Sequence, residues 1–394
     1  MKKIDKIVTI LCLLLPIMST YNSFISWLDL ASLILIILFF YCFLIEKRTL
    51  RINKKILILW FTYILYITVI TLFTINSYRY NSVDDALIRL LKQLLYILIM
   101  LYFVFGHFFN IKYAVPIYKK ICLICALFLL FQSLMYYVAH VNIPGYISNF
   151  ITLNSYGDRI DNQIIGLFRP TSFFYEPSHF FEYVIMSIPV SLFENKKNIK
   201  NSILYSLLIS LSIILSTSSI GIICTAGLWG LWLILYLRNI DIKNGNNTLI
   251  YILTFLFFII SIVLFINSKI GQDIITRTFS TTTNSINAIE ARWEGYYFYE
   301  KLNKFNKIFG VGYANLPDVF FGSWAFNLSS IGVIGCLIIL NIYFLSFKKA
   351  NHKSIKVIVL LNLMISLFVM SFSTKSLFFF FIIILSDATN KSHY

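Results

Sequence analysis

The residues best able to do chemistry lie in one stretch, Gly166–Tyr183, which reads G-L-F-R-P-T-S-F-F-Y-E-P-S-H-F-F-E-Y. Arg169 comes first, then Glu176, His179 and Glu182, with Pro170 and Pro177 set between them. An arginine offers several donors in a planar fork and keeps its charge, so it suits phosphate oxygens. A carboxylate can take a proton from a hydroxyl nucleophile, and partial burial would raise its pKa towards a useful value. Glu176 and His179 are rival candidates for that general base. Plainer readings stand beside these. With Pro177 as the first helical residue, Glu176 is a helix N-cap near the positive end of the dipole. His179 reads equally as an interfacial histidine, Glu182 as its partner, and Arg169 as solvated charge.

Two further groups belong with this stretch. Asp158, Arg159 and Asp161 precede it; Arg159 is either surface charge or a second arginine for the same oxygens. Much later comes A-I-E-A-R-W-E-G-Y-Y-F-Y-E (Ala288–Glu300), which places Arg292, Glu294 and several aromatics on one amphipathic helix. Its rings suit either sugar stacking or anchoring at a membrane interface. The following F-G-V-G-Y-A-N (Phe309–Asn315) reads as a tight turn, since it has no strand-turn-helix context and no Walker lysine.

The elements that must hold these residues are membrane helices. The 394-residue chain is 59% hydrophobic and 13% charged, and apolar runs long enough to cross a bilayer recur from end to end. The short alternating segments of a transmembrane β-barrel are missing. The reading is an all-α polytopic membrane protein, a single integral domain over 1–394 with about 12 transmembrane helices. They fall near 7–27, 28–45, 56–75, 93–109, 121–140, 179–193, 202–217, 220–237, 248–266, 324–347, 355–372 and 375–386. The first run has a basic start and no convincing cleavage site, so it reads as a retained helix.

With the N-terminus inside, the inner loops are Glu46–Lys55, Asn110–Lys120, Glu194–Asn201, Arg238–Asn247 and Lys348–Lys356. Each carries at least two Lys or Arg, and this bias orients membrane proteins. Both termini are then cytoplasmic. Two long loops face out, about 141–178 and 267–323, and long ordered loops usually carry function. A medium outer loop, Asn76–Lys92, contains Asp85 and Arg89 at the spacing of an exposed helical ion pair. The net charge of +16 sits in short inter-helix loops, which argues against nucleic acid as a partner. All six cysteines fall within expected spans, so no disulfide framework is implied. Cys122 and Cys125 read as small core residues.

Other chemistries have little support. Neither long loop holds an Asp-x-Asp pair or a His/Cys cluster, so no metal is expected. No cofactor is expected either, for the chain lacks a serine-hydrolase elbow and a nucleotide signature. A donor must bring its own activation, and a lipid-linked diphosphate would do so.

At these residues the sequence resembles the O-antigen polymerase (Wzy-type) and O-antigen ligase superfamily of bacterial envelope proteins. The likeness is carried by R-P-T-S-F-F-Y-E-P-S-H-F (Arg169–Phe180), by A-R-W-E-G-Y-Y-F-Y-E-K-L followed by I-F-G-V-G-Y-A-N (within Ala291–Asn315), and by S-S-I-G-V-I-G (Ser329–Gly335) opening the next span. The resemblance implies a C-type glycosyltransferase in the bacterial cytoplasmic membrane, independent of metal and nucleotide sugar. Its donor and acceptor would be undecaprenyl-diphosphate-linked oligosaccharides at the outer face, with membrane lipids and a chain-length regulator as further partners. Arg169 and Arg292 would bind the donor diphosphate, with Arg159 a third candidate. The ligases carry a histidine late in the second loop, near Phe321 here, yet Asn267–Ser323 contains none. That departure favours a repeat-unit polymerase over a ligase and leaves the base to Glu176 or His179. A lipid-linked glycan flippase or transporter is the rival from another class. It would need ionisable groups inside the bundle and usually shows repeated halves.

Overall fold

The computed structural model describes residues 2–22, 26–46, 48–77, 80–145, 152–153, 163–164, 167–193, 199–237, 263, 267, 271–272, 288–313, 315–317, 319, 321–367 and 376–389. Among these the chain is helical apart from two short antiparallel pairings. The elements are α1 (Lys3–Met18), β1 (Tyr21–Asn22), α2 (Trp27–Tyr41), α3 (Lys54–Phe73), α4 (Val83–Phe105), α5 (Ile111–Ala139), β2 (Thr152–Leu153), β3 (Gln163–Ile164), β4 (Leu167–Phe168), α6 (Pro177–Ile185), α7 (Ser187–Leu192), α8 (Ile199–Leu215), α9 (Ser219–Leu237), α10 (Ala288–Glu300), α11 (Lys304–Phe309), α12 (Ser323–Lys349), α13 (Lys353–Ile365) and α14 (Ile382–Thr389). A π-helical turn, Cys42–Glu46, extends α2, and another, Leu377–Phe381, leads into α14.

Among the described residues, five helices are long and apolar enough to cross a membrane: Trp27–Glu46, Lys54–Phe73, Val83–Phe105, Ile111–Ala139 and Ser323–Lys349. This is the architecture of a helical membrane protein. Several expected spans take another form. The 179–193 run is two short helices, α6 and α7, and Phe180–Leu192 is buried throughout. The break falls at Met186, three residues before Pro189, which has no amide to donate to the Ile185 carbonyl. The first run gives a 16-residue helix, α1, which ends at Met18. The 248–266 span lies outside the described residues except at Val263. By contrast, α4 begins ten residues before its apolar span. Ser82 caps it, its Oγ accepting from the Asp85 amide at 3.1 Å and donating to Asp85 Oδ2 at 2.7 Å. That cap, with Asp84 and Asp85 against the helix dipole, carries the helix through a polar first turn. Asp85 therefore serves the cap where an ion pair with Arg89 was expected.

The described contacts group into two compact units. The first comprises Met1–Lys120, Ser148–Asn154 and Ala291–Tyr394. At one end of it, Arg48 bonds Asp5 at 2.7 Å and Glu46 at 3.5 Å, and lies 4.3 Å over the Phe108 ring. The Asn110 amide donates to Thr9 Oγ1 at 3.2 Å. The N-terminus and the loops after α2 and α4 thus share one end, as an alternating bundle requires. At the other end of α3, Thr71 Oγ1 accepts from the Tyr313 amide at 3.1 Å, and Asn81 Nδ2 donates to the Leu316 carbonyl at 3.3 Å.

The α12 helix is broken at Gly332 (φ 65°, ψ −174°). The break leaves the Ser329 and Ser330 carbonyls facing the turn after α11, and they accept from the Val311 and Gly312 amides at 2.9 and 3.0 Å. Tyr66 Oη, from α3, lies 3.1 Å from both the Phe309 and Ile331 carbonyls. Backbone freed inside an apolar bundle must be paired again, and this interlock does it. Gly310 (φ 93°) and Gly332 allow the approach: a Cβ on either would stand 2.3 Å from a backbone oxygen of the other segment. The two glycine motifs, expected as separate features, are one structure. Elsewhere in this unit the buried Asp387 accepts from the Asn351 amide at 2.7 Å and the His352 amide at 3.2 Å, and pairs with His352 Nδ1.

The second unit comprises Ile121–Ile147 and Ser155–Glu290. Its core packs α6, α7, α8 and α9. Gly221 lets them close up, since a Cβ there would meet Phe181 at 2.9 Å and Ile213 at 2.8 Å. On α8, Ser202, Ser206 and Ser210 form a buried stripe, and Ser210 Oγ accepts from Trp229 Nε1 at 2.9 Å.

Candidate functional site

The stretch from Phe168 to Phe174 is laid along α5 by two ring stacks. Phe168 stacks on Tyr136 at 4.1 Å and Phe173 on Phe128 at 4.4 Å, nearly parallel in both cases. Between the stacks, Gln132 acts as a buried clamp. Its Oε1 accepts from the Ser172 amide at 2.8 Å, and its Nε2 donates to the Ile143 carbonyl at 2.9 Å. Ser172 Oγ donates to the Cys125 carbonyl at 2.7 Å. A buried amide satisfied at both ends fixes the backbone on either side of it. Ser172 itself is left-handed, with φ 55°. Gly145 passes so close that a Cβ would lie 1.9 Å from the Ser172 carbonyl oxygen. Cys122 and Cys125 are buried and form no disulfide, which fits small core residues.

This scaffold carries Arg169, which is half-buried. Its Nε donates to Thr217 Oγ1 at 3.3 Å. Thr217 lies in the short connection between α8 and α9, and its φ of 58° is also left-handed. Its amide donates to the Ile214 carbonyl at 3.0 Å, the closing bond of a helix C-terminus.

Glu176 is the N-cap residue of α6 and Pro177 opens the helix, as the sequence suggests. Its carboxylate makes no capping bond. Oε2 accepts instead from Ser178 Oγ at 3.0 Å, and the group is half-buried. Helix capping therefore does not occupy this side chain. His179 is half-buried, its ring 6.4 Å from that of Tyr175. Glu182, one turn further along, is buried at 8% exposure. Phe174, packed on Phe180 and Tyr183, joins the Arg169 loop to α6.

The remaining expected residues are placed differently. Arg159 lies outside the described residues. Arg292 lies on α10, in the part of that helix belonging to the first unit, whereas Arg169 belongs to the second. Of the expected residues, Arg169, Glu176 and His179 lie in the second unit, and Arg169 is bonded to Thr217. Sequence reasoning missed Thr217, Gln132 and Ser172. Gln132 was visible as a lone amide in an apolar helix. Thr217 was visible as a β-branched residue in an inter-helix break, where glycine or asparagine is usual.

No family model matches this chain, and no curated protein matches it.

Proposed function

We propose that the chain is a polysaccharide repeat-unit polymerase, a metal-independent membrane glycosyltransferase. It moves glycan from undecaprenyl diphosphate onto a lipid-linked repeat unit. The observation that carries the reading is an anchored arginine and, on the same scaffold, a half-buried carboxylate that makes no capping bond. Arg169 is held between two ring stacks and a threonine hydroxyl, and Glu176, seven residues on, is not spent on capping. The charge bias of the loops supports an outer-face position for this stretch, with both termini in the cytoplasm, and the resemblance supports a bacterial cytoplasmic membrane.

In this reading a hydroxyl of the acceptor sugar attacks the anomeric carbon of the donor. A new C–O bond forms as the bond to the diphosphate oxygen breaks, and undecaprenyl diphosphate leaves with the electron pair. Glu176 or His179 takes the hydroxyl proton. Arg169, with Arg292 and Arg159 as the other candidates, offsets the charge developing on the leaving group. Fixed donors of this kind lower a barrier by about 3–4 kcal/mol. A chain-length regulator would be the expected protein partner.

Purified protein reconstituted with a lipid-linked repeat unit tests the reading. Wild type is expected to give a ladder of long glycan, and Arg169→Ala and Arg292→Ala none, with normal membrane insertion. Glu176→Gln is expected to stop elongation if Glu176 is the base. Full ladders from both arginine variants would sink the diphosphate assignment. Transfer of finished glycan to a different acceptor would identify a ligase instead.

A further inference from the structure

We propose that Thr217 is a positioning residue for Arg169: its hydroxyl fixes the guanidinium plane so that the outer nitrogens face a diphosphate. This rests on the reading of Arg169 as the diphosphate ligand.

The argument starts from the backbone. Thr217 follows α8 at the position where a chain leaving a helix often turns left-handed. Glycine adopts that conformation without strain; a β-branched residue does so rarely, because its Cβ substituents crowd the carbonyl. This chain does use glycine where φ is positive at Gly310, Gly312 and Gly332. Among the described residues the non-glycine positions with positive φ are His107, His140, Ser172 and Thr217, and Thr217 is the β-branched one. Two of the four, Ser172 and Thr217, flank Arg169. Strain of this kind persists where the surroundings enforce it, and it collects at functional sites.

What threonine adds over glycine at this point is a hydroxyl. Its neighbours show what the hydroxyls of the connection do. Ser216 Oγ donates to the Ile213 carbonyl at 2.7 Å, and Ser218 Oγ accepts from the Gly221 amide at 3.4 Å. Both serve their own helix ends. Thr217 Oγ1 accepts from Arg169 Nε, 48 residues away in sequence. The guanidinium is a rigid plane, so holding Nε fixes the directions in which Nη1 and Nη2 donate. Two-point recognition of phosphate oxygens depends on those directions. The stack of Phe168 on Tyr136 and the fixed φ of Pro170 hold the backbone on either side. The hydroxyl of Thr217 supplies a side-chain constraint at Nε.

The test uses the full chain in lipid nanodiscs, with undecaprenyl diphosphate as the probe and undecaprenyl monophosphate as the comparison. Affinity is measured beside the thermal unfolding midpoint. Thr217→Ser keeps the hydroxyl and is expected to bind within about twofold of wild type. Thr217→Val keeps the shape without the acceptor and is expected to bind about tenfold more weakly, the effect of one hydrogen bond to a charged group. Thr217→Gly is expected to weaken binding similarly while raising the unfolding midpoint. A merely structural residue would move both readouts the same way. In an Arg169→Ala background, Thr217→Val should have no further effect on binding, because the coupling partner is gone. Thr217→Val or Thr217→Gly binding the probe like wild type would overturn the positioning role while leaving Arg169 as a ligand. Arg169→Ala binding like wild type, or wild type not distinguishing diphosphate from monophosphate, would overturn the underlying reading and this inference with it.

Discussion

Replacing Gly332 by alanine is the sharpest single perturbation of this fold. With φ 65° and ψ −174°, Gly332 occupies a region that only glycine visits readily, and an L-residue there costs about 1–3 kcal/mol. Contact adds to strain. The new Cβ would lie 2.3 Å from the Ile308 carbonyl oxygen and 2.6 Å from the Gly310 nitrogen. Both are backbone atoms, so no side chain can rotate away, and the turn after α11 must move. Movement breaks the bonds from the Val311 and Gly312 amides to the Ser329 and Ser330 carbonyls. It also withdraws the Phe309 carbonyl from Tyr66. Each lost bond costs about 1 kcal/mol, more where a carbonyl is left buried and unpaired. The expected loss is on the order of 4 kcal/mol.

Gly227→Ala, on α9, is the control. Its Cβ would meet nothing within 4 Å. Alanine also favours the helix by about 1 kcal/mol over glycine. Unfolding followed by tryptophan fluorescence in mild detergent should show Gly332→Ala strongly destabilised and Gly227→Ala within about 1 kcal/mol of wild type. Tyr66→Phe should fall between them, since one hydroxyl proton is shared by two carbonyls. Equal effects of the two glycine changes, or a neutral Gly332→Ala, would refute the interlock.

Two further outcomes follow from the first unit. Asp387→Asn removes the charge that accepts from the Asn351 and His352 amides and pairs with His352; the expected loss is about 2–3 kcal/mol, seen as a lower unfolding midpoint, with no effect of that size from Lys356→Ala. Burial pushes the Tyr313 phenol up to about 12, against a smaller lowering by Arg89. Its folded pKa thus exceeds the unfolded value, so the folded state keeps the proton longer. The associated stability is complete below pH 10 and is lost as pH rises towards 12. Unfolding midpoints across that window should fall for wild type and fall less steeply for Tyr313→Phe; equal slopes would exclude the assignment.

Much of the fold was readable because apolar length and helix caps are local. The spans at 28–45, 56–75 and 324–347 match helices within a few residues, and the split after Leu215 falls at the run of serines and threonine that suggested it. The start of α4 was misjudged for a physical reason: apolarity marks where a helix enters lipid, whereas the Ser82 cap marks where it begins. The 179–193 run, expected as one short span, is two short buried helices, because hydropathy marks an apolar run and not a break within it. The first glycine motif was legible as a turn and the second as the opening of a span, but not as partners. Their meeting depends on Tyr66, some 240 residues earlier in the chain, and nothing local connects them.

The same contrast bears on Arg169. Buried polar groups in an apolar bundle need partners to be tolerated at all, so a paired one implies nothing about function by itself. Gln132 is fully explained as a clamp, Tyr66 as the seal of a helix break, Asp387 as the anchor of a loop, and Tyr343 by its bond to Asn362. Each is buried or closes a bond that the backbone would otherwise lack. The Arg169–Thr217 contact differs in its arginine end, although Thr217 itself is buried. The arginine is half-buried, so water could have satisfied it, and the threonine could have been glycine without loss to the turn. The contact is long, at 3.3 Å. A weak bond kept at the expense of backbone strain makes sense where the direction of a guanidinium matters more than stability. That is the requirement of a site that grips phosphate oxygens.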